Sequence, residues 1–108
     1  MHLNEYASEA MRTAIYPVDQ GIVYTTLGLT SEASEVAGKV KKVLRDNGGV
    51  FDSETKAAIA SEVADTLWYV AALARELDTT MEALAQSNLN KLASRQARGT
   101  LGGSGDHR

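Results

Sequence analysis

Two stretches decide the fold: Leu29–Lys42, reading LTSEASEVAGKVKK, and Ile59–Tyr69, reading IASEVADTLWY. Each carries two carboxylates three residues apart, Glu32 with Glu35 and Glu62 with Asp65. On a helix that spacing puts both members of a pair on one face, one turn apart. At about 100° per residue, Leu29, Ala33, Val36, Val40, Val43 and Leu44 share one arc of the first helix. Ile59, Val63, Leu67, Val70, Ala74 and Leu77 form the matching arc of the second. In both helices the acid pair borders the apolar stripe and does not point away from it. Two such stripes need each other, so packing them brings four carboxylates together at the edge of a core.

Working outward, sparse punctuation divides the chain into four helical segments. The first is expected from about Asn4 to Tyr16, with Tyr6, Ala10, Met11 and Ala14 at helical spacing and Pro17 ending it. The second runs from about Gly21 to Asp46, stopped by Asn47, Gly48 and Gly49. The third begins at Asp52 or Ser53 and reaches about Leu77. The fourth opens at Thr79, where Thr79-x-x-Glu82 reads as a capping box, and ends near Ala97. Short connections make antiparallel neighbours, so the expected architecture is an all-α, antiparallel four-helix bundle over residues 1–98. Gly99, Gly102, Gly103 and Gly105 make residues 99–108 a flexible tail.

Composition narrows the chemistry. A chain of 108 residues holds one domain. With no cysteine there is no disulfide framework, thiolate zinc site or cysteine nucleophile. The only histidines, His2 and His107, stand at opposite ends, which disfavours a histidine triad or a histidine-rich metal centre. No apolar run approaches the roughly 20 residues of a membrane span, and nothing at the start resembles a signal peptide. The expectation is a cytoplasmic protein. Net charge is −3, yet Ser87–Arg108 carries Lys91, Arg95, Arg98 and Arg108 against Asp106 alone. An acidic body of this kind does not suit stable nucleic-acid binding.

Four converging carboxylates repel one another unless protonated or neutralised. All-oxygen ligands without histidine or cysteine select Mg²⁺, with Mn²⁺ as a substitute. A di-iron carboxylate bundle would want Glu-x-x-His, which is absent. One such acid pair alone would read as solvated surface. Two pairs at equivalent angles on consecutive helices read as a metal site formed by Glu32, Glu35, Glu62 and Asp65.

Together the stretches give Glu-x-x-Glu, 26 intervening residues and Glu-x-x-Asp. Over roughly residues 20 to 100 this pattern resembles the MazG-type all-α nucleoside triphosphate pyrophosphohydrolases. These are kin to dimeric dUTPases and to phosphoribosyl-ATP pyrophosphohydrolase. The resemblance implies Mg²⁺-dependent conversion of a (d)NTP and water to a (d)NMP and diphosphate, by attack at the α-phosphorus. It places the family's metal ligands on Glu32, Glu35, Glu62 and Asp65, with Glu32 or Glu35 orienting or deprotonating the water. It places the family's phosphate-holding cations of the fourth helix on Lys91 and Arg95. Asn88, one turn before Lys91, is a further candidate for phosphate or sugar, and Tyr69 matches a position lining the nucleotide pocket. Lys39 is a candidate substrate contact whose plainer reading is a surface pair with Glu35. Trp68 is read as packing in an interface in preference to stacking on a base. Small members of the family serve bacteria and phages in cleansing or remodelling nucleotide pools, which for a phage protein means the host cytoplasm.

Two other readings stand beside this one: phosphoribosyl-ATP hydrolysis, and a non-enzymatic helical interaction module whose acids only solubilise it. Val23, Leu27, Trp68 and Ala72 lie off the main stripes, so the chain is expected to assemble with copies of itself, as a tetramer in preference to a dimer.

Overall fold

Helix boundaries follow from local chemistry that can be traced residue by residue. The computed structural model describes residues 1–108 and contains α1 (Leu3–Met11), one 3₁₀ turn (Val18–Gln20), α2 (Gly21–Asp46), α3 (Ser53–Glu76) and α4 (Met81–Ala97), with no strand. The two long helices have their expected limits. At the end of α2, Gly48 and Gly49 take φ of 60° and 75°, a left-handed conformation that glycine adopts without strain. The Gly49 and Asn47 N–H groups then both donate to the Val43 carbonyl. The Asp52 carboxylate caps α3 by accepting from the Thr55 N–H at 2.8 Å.

The other two helices depart from expectation. The first stops at Met11, not Tyr16. Its last turn tightens as Arg12, Thr13 and Ala14 donate to carbonyls only three residues back. The Thr13 hydroxyl also bonds the Ala10 carbonyl at 2.7 Å, and the residue before Pro17 resists helical angles. The cap of α4 is Thr80, not Thr79, its hydroxyl accepting from the Ala83 N–H at 3.1 Å. Glu82 does not close a capping box. Its N–H donates to Asn4 Oδ1 and its carboxylate accepts from Asn4 Nδ2, tying α4 to α1. Asp78, at φ 57°, makes the turn from α3, and the Thr79 N–H reaches back to the Ala74 carbonyl.

The body of the molecule is α2 packed along α3, with α1 lying on α3 and on the start of α4. Gly21 and Thr25 of α2 and Ala71, Ala72 and Ala74 of α3 are buried, so small residues supply the closest packing. This corrects two expectations. Ala72 is fully buried within the chain, so it is not left over for a neighbouring subunit, while Trp68 is half-buried. Conversely Leu44, Val63, Leu67 and Leu77, assigned to the stripes, are exposed, as are Val23 and Leu27. Only Val43 and Ala74 of the two stripes are buried outright.

The single chain is spread out. Its radius of gyration is 16.8 Å, against about 13 Å for a compact domain of this size. It exposes 7526 Å², where the usual scaling for this mass gives about 5,800 Å². By length and mean hydropathy (1.2), α3 could cross a membrane. Two acids at its middle, Glu62 and Asp65, and its packing on α2 fit a core helix.

Candidate active site

Because α2 and α3 pack along their lengths, an acid of one helix meets the acids of the other. Glu32, Glu62 and Asp65 each offer a carboxylate oxygen, and these oxygens lie within 4.8 Å of one another. Glu35, exposed and one turn beyond Glu32, stands outside that trio. None of the four has a basic partner within ion-pair distance. Partial burial raises the Glu32 carboxyl above the ordinary range, and the charges of Asp65, Glu62 and Glu35 push it further. Three hard oxygen donors crowded together without a counter-charge fit a divalent cation such as Mg²⁺ or Mn²⁺.

Beside the acids opens a cleft of about 640 Å³, lined by Tyr6, Thr13, Ile15, Tyr16, Tyr24, Glu32, Ala64, Asp65, Trp68 and Tyr69. Thus all four tyrosines and the single tryptophan share one wall with two of the carboxylates. Tyr16 stacks on Tyr24 with centroids 5.3 Å apart, and Trp68 meets Tyr69 edge-on at 4.9 Å. The Trp68 indole N–H donates to the Ala10 carbonyl at 3.2 Å and to Thr13 Oγ1 at 2.9 Å, which fixes the ring against the end of α1. Burial raises the Tyr69 phenol, aided by Tyr24 and Glu32, and burial followed by Asp65 raises Tyr6. Both stay neutral and can donate hydrogen bonds around neutrality. A cleft of this size and lining suits a planar base with its sugar.

Gly28 makes the cleft possible. A Cβ there would lie 2.0 Å from Tyr69 Cε1, so α2 must be bare where the ring crosses it. Gly28→Ala should therefore displace Tyr69 and raise KM for a nucleotide by about tenfold, the equivalent of ~1.4 kcal/mol. Steady-state kinetics checks this, and near-ultraviolet circular dichroism should show the altered aromatic packing. An unchanged KM would mean that the ring shifts freely.

The structure does not bring every expected residue to this place. Tyr69 lies in the cleft as expected. Trp68, read from the sequence as interface packing, lines it too. Lys39 makes no ion pair with Glu35 and lines a separate hollow with Lys42, Asp46 and Asp52. Asn88 is exposed on α4. Lys91 and Arg95, also on α4, are absent from the cleft lining and instead hold Asp106 of the tail, Lys91 Nζ at 2.8 Å and Arg95 Nη2 at 3.1 Å. The residues that sequence reasoning missed are Tyr6, Tyr16, Tyr24 and Thr13. They belong to different segments and share no periodicity. Their one signal is that a chain only 6% aromatic places its tyrosines close to segment ends and to the acid helices.

An all-helical chain with acids of two long helices converging beside an aromatic cleft is an arrangement that suits a metal-dependent enzyme acting on nucleotides. The comparisons agree. The family model of the MazG nucleotide pyrophosphohydrolase domain matches residues 20–99, and the chain belongs to that family. It is also 46% identical over 114 aligned residues to the "Gene 37 protein" of Mycobacterium phage L5, with the whole of both chains covered. No solved structure matches it. The chain is thus a nucleotide pyrophosphohydrolase in general type, from a family that is generally divalent-metal dependent.

Proposed function

We propose that this chain hydrolyses (d)NTPs to the (d)NMP and diphosphate with Mg²⁺, within the cytoplasm of a phage-infected host. The observation that carries this reading is the meeting of Glu32, Glu62 and Asp65, unpaired, at the mouth of an aromatic cleft. A bound divalent cation supplies Lewis-acid polarisation of the phosphates and a water of lowered pKa. Glu32, Glu62 and Asp65 would hold it, with Glu35 of α2 as the fourth carboxylate. Glu32, which also lines the cleft, takes the proton of the attacking water. The water oxygen bonds to the α-phosphorus as the bond from that phosphorus to the bridging oxygen breaks, and diphosphate leaves. The tyrosines and Trp68 hold the base by stacking, while Lys91 and Arg95 take charge on the phosphates. Asn88, one turn before Lys91, and Lys39 are the further polar candidates for the substrate.

Hydrolysis in ¹⁸O-water tests the reaction. The label should enter the monophosphate and leave the diphosphate unlabelled. Orthophosphate with a nucleoside diphosphate as first products would refute it. The same assay across NTPs, dNTPs and phosphoribosyl-ATP separates the pool-cleansing reading from the biosynthetic one.

The assembly proposed is an antiparallel four-helix bundle repeated in a homotetramer. Its support is the small core and the exposed leucines and valines of α2 and α3. No separate observation favours the non-enzymatic module.

A further inference from the structure

The terminal segment, expected to be a loose tail, is folded onto α4. The Thr100 N–H donates to the Arg95 carbonyl at 2.8 Å, so the chain doubles back directly after the helix. The Arg108 guanidinium then gathers the loop, donating to the carbonyls of Thr100, Leu101 and Gly105 at 3.1, 3.2 and 2.7 Å. Gly103 and Gly105, at φ 89° and 87°, supply the left-handed turns this path requires. At the end of the loop, Asp106 presents its carboxylate to Lys91 Nζ at 2.8 Å, and Oδ1 and its backbone carbonyl to Arg95 Nη2 at 3.1 and 2.8 Å.

The receiving site is built and not merely a surface pair. The Arg95 side chain is only 9% exposed, and every hydrogen bond its guanidinium makes goes to Asp106. Its Nε is buried without any partner. A buried guanidinium with an unused N–H beside a lysine calls for an anion with more oxygens than one carboxylate offers. The ion pairs with Lys91 and Arg95 lower the Asp106 carboxyl below its ordinary range, so the occupant is an anion.

We infer that residues 99–108 form a tethered anionic plug: Asp106 occupies the α4 cation site in the resting protein, and a polyphosphate must displace it to bind. This rests on the reading above, in which Lys91 and Arg95 take the phosphates of the substrate. Competition from a tethered carboxylate reduces apparent affinity by the fraction of time the site stands open. A plug closed nine-tenths of the time weakens binding about tenfold.

The test is calorimetric titration of the full chain with inorganic pyrophosphate in chelator, so that α4 is read without metal at the acids. Asp106→Asn should bind pyrophosphate about tenfold more tightly than the unaltered chain. Arg108→Gln, which unfastens the loop without touching the cations, should shift affinity in the same direction. Asp46→Asn removes an equal charge at the end of α2, where Asp46 pairs with Arg45. It should change affinity less than about twofold, because an exposed charge is screened by salt. Lys91→Gln and Arg95→Gln should each lose binding. Equal affinity in the unaltered chain, Asp106→Asn and Arg108→Gln, with loss in Lys91→Gln, would overturn the plug and leave the phosphate role intact. Binding indifferent to Lys91 and Arg95 would overturn both. Weaker binding in Asp106→Asn would make the aspartate a positioning residue and overturn the plug.

Discussion

Glu32→Gln should lower diphosphate release by about 10²–10⁴-fold, the range expected on removing a general base. The fold should survive, because the amide keeps the shape of the side chain. Stability without metal should rise, since the change removes one of the crowded negative charges. The sign of the pH effect follows from the raised Glu32 carboxyl. Above its unfolded value the native chain binds the proton more tightly than the unfolded chain does. Stability of the metal-free protein therefore falls as pH rises from the unfolded pKa through the raised native one. Glu32→Gln should flatten that slope, and so should Mg²⁺, which stabilises by binding only the folded cluster. Thermal melts in chelator and in Mg²⁺ between pH 4 and 8 provide the check. A variant with unaltered turnover, or a melt insensitive to Mg²⁺, would remove the acid cluster from the mechanism.

The sequence disclosed that cluster because two signals coincide on it. Glycine turns bounded α2, Asp52 and the turn before it bounded the start of α3, and the wheel set Glu32 and Glu62 at equal angles to their stripes. What it could not disclose is which arc touches which. Most of the buried positions on the two helices are small ones, Gly21, Thr25, Ala71, Ala72 and Ala74. A hydrophobicity wheel gives little weight to such residues and favours Leu44, Val63, Leu67 and Leu77, all exposed. Glu35 shares a helix with Glu32 yet stands outside the trio. Glu62 and Asp65, at the same spacing on α3, both belong to it, so spacing alone does not decide which acids meet. The cleft was hidden for a further reason. Tyr6, Tyr16, Tyr24 and Trp68 meet only after the chain turns at Met11 and Pro17, and long-range contacts of that kind leave no local period. The plug was hidden too, since glycine-rich composition reads as flexibility until a buried arginine and a terminal one fix its path.

Leu27→Glu should reduce the particle from a multiple of 11.5 kDa to 11.5 kDa. Leu27 is 63% exposed in the single chain, on the helix that carries Glu32, and Val23 lies one turn before it at 56%. Burying a leucine is worth roughly 1.5–3 kcal/mol, whereas enclosing an unpaired carboxylate costs several kcal/mol per ion. Symmetry multiplies this, because an isologous contact brings each substituted residue in twice. A surface this apolar on a chain with eight buried residues has little stability to lose, so the separated monomer should also melt earlier. Lys41→Glu, an exposed position on the same helix, should leave the mass unchanged and controls for charge alone. Light scattering at micromolar concentration reads both variants. An unaltered chain that runs at 11.5 kDa while hydrolysing nucleotide would show that one copy suffices, and Leu27→Glu with undiminished mass would move the contact to another face, with the exposed Leu84, Leu89 and Leu92 of α4 next in line.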